Sequence, residues 1–299
     1  MNRREFLAAG AGALAVGVIR QDSKPAPKRT LKKAVMIGMV QDGKTVLDKF
    51  QLLRDCGFDG VEMDSPSSTP AQEILDAQHK TGLIVHGLVD SVHWRLTLTH
   101  KSEEVRKKGL EGLLTALRDG KTLGATSVLL VPGVVDREQP YDEAYRRSQE
   151  MIRQALPVAA ECQVKIAVEN VWNQFLLSPQ EAPRYVDEFQ SPWVGWHMDI
   201  GNVINTGFPD QWLRILGKRV LKLHIKDFSR KKRDQEGLWK GFDVELGDGD
   251  AGWKQVMRAL DDIGYSTAAP GNWATTEVRG GNAERLKQIA GQMDKRFAM

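Results

Sequence analysis

From Lys33 onward the chain alternates short, nearly unbroken apolar runs with longer stretches whose apolar residues recur at helical spacing. The runs are Ala34–Val40, Gly60–Met63, Leu83–Val89, Ser127–Val131, Lys165–Val168, Val194–Met198, Val220–Ile225 and Ala274–Val278. Runs that stay apolar at successive positions fit parallel strands covered on both faces. Between them the spacing predicts helices over Val46–Asp55, Ala71–Lys80, Ser102–Leu123, Glu143–Cys162 (broken by Pro157), Asp210–Leu216, Trp253–Ile263 and Ala283–Phe297. A further helix should open at Ser178-Pro179-Gln180-Glu181, with serine as the cap and proline in the first turn.

Eight strands, each followed by a helix, match the count and size of a single (β/α)8 TIM barrel, an α/β fold, over residues 31–299. An open doubly wound sheet is the alternative, but no glycine fingerprint follows the first run. One connection is long, Ser229–Asp250, and carries Arg230-Lys231-Lys232-Arg233. That basic run reads as a solvated loop in preference to a lid that grips a ligand.

Residues 1–30 read differently. Arg3-Arg4-Glu5-Phe6-Leu7 precedes an uncharged run to Ile19, too short and too weakly apolar for a stable membrane span. The pattern fits a twin-arginine-type signal peptide followed by a linker containing Pro25 and Pro27. It implies the twin-arginine export machinery as a partner and a periplasmic or extracellular destination.

The formal charge is +3, but residues 1–30 carry six basic and two acidic side chains, leaving 36 basic and 37 acidic residues in the body. A body without excess positive charge is a poor match to a phosphate backbone, so a nucleic-acid partner is not expected. Cys56 and Cys162 have no neighbouring cysteine that would make a thiol metal site. They fall at the ends of the first and fourth helices, which are not neighbours in an eight-fold ring, so two free thiols are expected.

In such barrels catalytic groups project from the carboxyl ends of the strands. The fifth to eighth runs end in Glu169, Asp199, His224 and Glu277. Charged groups directly after buried apolar runs are costly unless paired or bound to a metal. Three carboxylates and an imidazole offer a donor set for one divalent cation, Mn2+, Mg2+ or Co2+, with Zn2+ also compatible.

The order of motifs resembles the sugar phosphate isomerase/epimerase family of xylose isomerase-like barrels, with ketose 3-epimerases and hexulose-phosphate isomerases the most similar groups. The resemblance rests on Gly57-Phe58-Asp59-Gly60-Val61-Glu62-Met63, Ser91-Val92-His93-Trp94-Arg95, Ala167-Val168-Glu169-Asn170, Asp199-Ile200-Gly201-Asn202, His224-Ile225-Lys226-Asp227, Leu246-Gly247-Asp248-Gly249 and Glu277. It implies Glu169, Asp199, His224 and Glu277 as metal ligands, with Glu169 and Glu277 also the catalytic acid/base pair. It further implies that Glu62, His93, Asn202 and Lys226 line a sugar pocket, with His93 contacting substrate oxygens. His86 and His197 are expected to be satisfied structural histidines. Free-sugar ketose 3-epimerases often carry histidine where Asn202 stands. Related endonucleases for abasic DNA bind three zincs through further histidines, which this chain lacks.

The donors suggest a chemistry. A metal held by a ketose carbonyl and the adjacent hydroxyl acidifies the C–H between them and stabilises an enediolate. One glutamate removes the proton and the other returns it, giving an epimer or the isomeric aldose. A lyase or dehydratase of 3-keto-glycosides or inosose shares that first step. A non-catalytic sugar-binding barrel would be expected to have lost one of the glutamates.

Overall fold

The computed structural model describes residues 29–267 and 272–299. The twin-arginine segment and most of its linker lie outside the described residues. Eight parallel strands form one closed barrel in chain order. They are β1 (Lys32–Met36), β2 (Gly60–Ser65), β3 (Ile84–Asp90), β4 (Ser127–Leu130), β5 (Lys165–Glu169), β6 (Val194–Asp199), β7 (Val220–Ile225) and β8 (Trp273–Thr276). β1 closes the ring by pairing with both β2 and β8, Ala34 facing Gly60 on one side and Thr275 on the other.

The helices are α1 (Val46–Asp55), α2 (Ala71–Thr81), α3 (Glu103–Leu123), α4 (Tyr141–Cys162), α5 (Glu181–Asp187), α6 (Ile200–Ile204), α7 (Pro209–Leu216), α8 (Arg230–Glu236), α9 (Trp253–Asp262) and α10 (Ala283–Phe297). None of the described helices is long and apolar enough to cross a membrane. α1 starts on a reciprocal cap: the Thr45 hydroxyl accepts the Asp48 N–H, and the Asp48 carboxylate accepts the Thr45 N–H. α2 and α3 end on Gly82 and Gly124, both in the left-handed region that favours glycine.

Four details differ from the expectations. β1 stops at Met36, and Ile37–Met39 form a 3-10 turn. α4 runs unbroken through Pro157, which lies on the helix's exposed side, where the carbonyl it leaves unpaired can be hydrated. α5 begins at Glu181, because the Ser178 hydroxyl caps a preceding turn through the Gln180 N–H at 3.1 Å. The long connection after β7 is not an open loop. Ser229 caps the basic run into α8, and a 3-10 turn over Leu238–Phe242 follows.

The layer between strands and helices is apolar, with Val61, Ile166, Val168, Trp196, Met198 and Leu223 within 3% of full burial or completely buried. The barrel interior is more polar. Alternate residues of a strand share a face, so Lys222 and His224 of β7, and Lys226 just beyond it, all point inward. Lys222 donates to the His86 carbonyl at 2.8 Å and Thr126 Oγ1 at 2.9 Å, and its Nζ lies 3.1 Å from His86 Nδ1. His86 Nε2 pairs with Thr275 Oγ1 at 2.9 Å, and the ring stacks on Trp273. Burial, helped by the charge of Lys222, holds His86 well below the ordinary histidine range, and burial pushes Lys222 down to about 7. His86 is therefore a satisfied structural histidine. Both thiols are buried and free.

Asp90 ends β3 with Oδ1 accepting the Val92 N–H at 3.2 Å and Oδ2 buried without a partner. Burial raises its carboxyl from 3.8 to about 7. An acid that binds its proton more tightly when folded loses stability as pH rises between those two values. Asp90→Asn keeps the acceptor and removes the charge. Its unfolding free energy should exceed the wild type's by at least about 1 kcal/mol at pH 8 and differ little at pH 4, read from urea denaturation. Equal stability at both pH values would show that Asp90 ionises freely.

Candidate active site and cation-binding cluster

Strands β5, β6 and β7 each place an acidic or imidazole group on the barrel axis at their carboxyl ends, and Glu277 follows β8 directly. Glu169, Asp199, His224 and Glu277 can each offer one donor atom such that all four lie within 4.8 Å of one another. His224 Nδ1 lies 2.9 Å from Glu169 Oε1, 3.2 Å from Glu277 Oε2 and 3.8 Å from Asp199 Oδ2. Lys226 Nζ lies 2.7 Å from Asp199 Oδ2 and 2.6 Å from Glu277 Oε2. Asp199 and His224 are within 1% of complete burial, whereas the Glu277 side chain keeps 37% exposure at the mouth.

This donor set fits a divalent cation. Three carboxylates converging out of water require positive charge, and oxygen donors with one imidazole suit a hard or borderline ion. Within the cluster Lys226 and His224 supply positive charge. Burial disfavours the charge on His224, but Glu169 and Glu62 outweigh it and hold the imidazole well above its ordinary range. Burial raises Glu169 to about 7 and Asp199 to about 6, against the pull of their cationic neighbours. Burial also opposes ionisation of Glu277, yet Lys226 and His224 prevail and keep its carboxyl well below the carboxylate range.

A family model for the xylose isomerase-like TIM barrel matches residues 50–294. The chain belongs to that family. It is 25% identical over 251 residues to the L-ribulose-5-phosphate 3-epimerase UlaE of Escherichia coli O1:K1, covering 79% of this chain and 86% of that protein. Among solved structures it is similar to a D-tagatose 3-epimerase-like protein, with a TM-score of 0.74 at 17% identity over 89% of this chain and 97% of that one. It is also similar to the E. coli 3-keto-D-glucoside 4-epimerase YcjR, with a TM-score of 0.72 at 18% identity over 90% and 100% of the two chains.

In this xylose isomerase-like barrel an open cleft of about 920 Å3 reaches the cluster and is lined by Asn202, Lys226, Glu277, Trp239, Phe242 and Arg279, among others. Of the four residues expected to line a pocket, Asn202 and Lys226 do so. Glu62 does not. Its side chain is 1% exposed on the inner side of His224, with Oε2 2.8 Å from Nε2, because its position on β2 points it at the axis below the strand ends. His93 is not among the lining residues either; it is 6% exposed, and its Nδ1 accepts the Val131 N–H at 3.2 Å. Burial pushes His93 down to about 4, so near neutral pH it is an uncharged ring whose remaining N–H is on Nε2. His197 is buried against His224, ring centroids 4.2 Å apart, and neither nitrogen has a hydrogen-bond partner. It is thus not the satisfied histidine expected.

Asn170, outside the expected set, holds the cluster in place together with Asn202. Asn170 accepts the Asp199 N–H at 3.0 Å and the Trp196 Nε1–H at 3.1 Å, and its Nδ2 donates to the Asp199 carbonyl at 2.8 Å. Asn202 closes the clamp, its N–H on Asp199 Oδ1 at 2.7 Å and its Nδ2 on the Asn170 carbonyl at 3.0 Å. Gly201 between them is obligatory, since a Cβ there would come within 2.3 Å of Lys226 Cγ. Asp227, 2% exposed, accepts from the Gly247 N–H at 2.9 Å, the Ala251 N–H at 3.1 Å and the Trp253 Nε1–H at 2.9 Å. The last residue of His224-Ile225-Lys226-Asp227 therefore ties down the far end of the segment that walls the cleft.

Asp227→Ala strands four donors at once, the N–H groups of Phe228, Gly247 and Ala251 and the Trp253 indole, all but that of Gly247 buried. We expect a loss of about 3–5 kcal/mol in unfolding free energy and new proteolytic cuts between residues 229 and 250, read by denaturation and limited proteolysis. An unchanged digestion pattern would show that the segment is held by other contacts.

Proposed function

We propose that this protein is a metal-dependent sugar isomerase/epimerase acting on a keto sugar. The observation that carries this reading is that Glu169 of β5 and Glu277 after β8 flank one cation-fitting cluster from separate strands, at the floor of a cleft. The relatives named above as epimerases support it.

A divalent cation held by Glu169, Asp199, His224 and Glu277 would supply a Lewis acid beside the substrate's carbonyl and neighbouring hydroxyl oxygens. The protein's own groups handle the proton. One of Glu169 and Glu277 takes the proton from the carbon next to the carbonyl, and the C–H electron pair moves into the enediolate. The other glutamate returns a proton to the opposite face of the same carbon, giving the epimer. Return to the neighbouring carbon would give the aldose instead. Lys226, which lines the cleft, is suited to the developing negative charge. Trp239 and Phe242 give the cleft an aromatic wall against which the apolar face of a sugar ring can pack.

Charge bears on the substrate class. Arg230 spends its guanidinium on the carbonyls of Ile204 and Gly207, and Arg233 on that of Asn205, so these two arginines of the basic run face the chain itself. Within the cleft Lys226 pairs with Glu277, Arg285 with Glu245, and Arg279 lies 3.7 Å from Asp243. Arg279 is 87% exposed and shares Asp243 with Lys240, whose Nζ is closer at 2.9 Å, so the support for a free or glycosidic keto sugar comes from Arg230 and Arg233 being turned to the chain. Residues 1–30, read as a twin-arginine signal, support the same choice, because an exported enzyme meets few sugar phosphates.

Glu169→Gln and Glu277→Gln should each cut turnover by at least about two orders of magnitude. In deuterated water the wild type should place deuterium at the carbon beside the carbonyl; turnover without solvent exchange would indicate hydride transfer instead. Release of an aglycone from 3-keto-glucosides would indicate the lyase chemistry. Matched free and phosphorylated ketoses test the substrate class. A clear preference for the phosphorylated form, or an intact N-terminus on cytoplasmic protein, would overturn the exported free-sugar reading.

A further inference from the structure

The Gly57–Met63 element carries Glu62, a buried carboxylate that the cleft does not use. Three features fix it. Gly60 lets β2 press against its surroundings, since a Cβ there would come within 2.5 Å of the Trp273 ring and 2.6 Å of the Ile84 carbonyl. Gly87 leaves room for Glu62 itself, its would-be Cβ lying only 3.1 Å from Glu62 Oε1. Oε1 has no hydrogen-bond partner, so the polar bonding of this carboxylate is its 2.8 Å contact with His224 Nε2.

The two nitrogens of His224 therefore face different groups. Nδ1 faces Glu169, Glu277 and Asp199, whereas Nε2 lies 2.8 Å from Glu62, with the His197 ring packed edge-on at 4.2 Å between centroids. An imidazole that gives a lone pair to a cation on one nitrogen carries its proton on the other. A carboxylate at that second nitrogen fixes the tautomer and ring orientation and makes the ring a better donor.

We infer that Glu62 is a positioning residue that accepts the Nε2–H of His224 and so fixes Nδ1 as the cation-binding nitrogen. The inference rests on the reading of the four-residue cluster as a divalent-cation site. It assigns Glu62 to the cation's support and not to the sugar.

The test is Mn2+ titration of chelator-stripped full-length protein by calorimetry, with wild type, Asp199→Ala and Glu62→Gln side by side. Wild type should bind one Mn2+ per chain, and Asp199→Ala should bind none. Glu62→Gln should still bind one, with Kd raised about 10- to 100-fold, because a neutral amide is a weaker acceptor of nearly the same shape. The metal-free Tm of Glu62→Gln should stay within a few degrees of wild type, which separates positioning from general unfolding. Wild-type affinity retained in Glu62→Gln would overturn the inference and leave the cation site standing. Absence of Mn2+ binding by the wild type would remove both. Two ions in the wild type falling to one in Glu62→Gln would also overturn it, since Glu62, His197 and His224 would then hold an ion of their own. A measurement on the unmutated protein covers the case in which Glu62→Gln fails to fold. With histidine labelled by 15N and Mg2+ bound, His224 should carry its proton on Nε2, and a proton on Nδ1 would refute the assignment.

Discussion

Negative charge buried at the open end of the barrel is the constraint on which the rest of this structure depends. Glu169 and Asp199 reach the axis almost or fully out of water, Glu277 joins them from the mouth, and Glu62 lies beneath. An unpaired carboxylate in such a place costs several kcal/mol, so the cluster exists only where cationic groups face it. His224 and Lys226, two residues apart on one face of the β7 segment, do so. The same demand for positive charge suits the site to a divalent cation. Folding and the proposed catalysis therefore draw on one electrostatic requirement.

The clamp around the cluster follows from this. Asp199 ends β6 and opens α6, so its backbone and side chain belong to different elements, and Asn170 and Asn202 lock both. Asp227 does comparable work for the cleft wall by gathering donors from Gly247, Ala251 and Trp253. Neither asparagine needs to touch the reacting carbon to matter, because a small displacement of Asp199 would open the donor set.

Much of this was legible in the sequence because two periodicities carry it. Apolar runs bounded by helical patterns identify strands, and a polar residue at or just past the carboxyl end of a run marks a strand end, so Glu169, Asp199, His224 and Glu277 could be picked out before any coordinates. The mark does not say what such a residue faces. Glu62 lies inside a run, and nothing local distinguishes a carboxylate aimed at an imidazole 162 positions away from one lining a pocket. Asn170 was visible only as the neighbour of a ligand, since its clamp depends on β5 pairing with β6. The tolerance of α4 for Pro157 depends on which side of the helix meets solvent, which tertiary packing decides. The basic run after β7 reads as a solvated loop until Ser229 is seen to cap it and Ile204, Asn205 and Gly207 to accept from its arginines.

The interior of β7 joins the levels of the barrel. Lys222, His224 and Lys226 fall at alternate positions and so share the inward face. Lys222 anchors the layer of His86 and Thr126; His224 bridges Glu62 to the carboxylates; Lys226 meets Asp199 and Glu277 at the mouth. Glu62 also favours the charged form of Lys222 against the burial that lowers it, so the lower layer responds electrostatically to the middle one. A barrel filled with aliphatic side chains would be simpler to stabilise, because buried ion pairs contribute little net energy. What the polar interior provides is position: each charged group has a partner on another strand, so the orientation of His224 is set by β2 and β5 as well as by its own backbone. Precise placement of donors at the strand ends thus depends on polar contacts one layer down, where no substrate reaches.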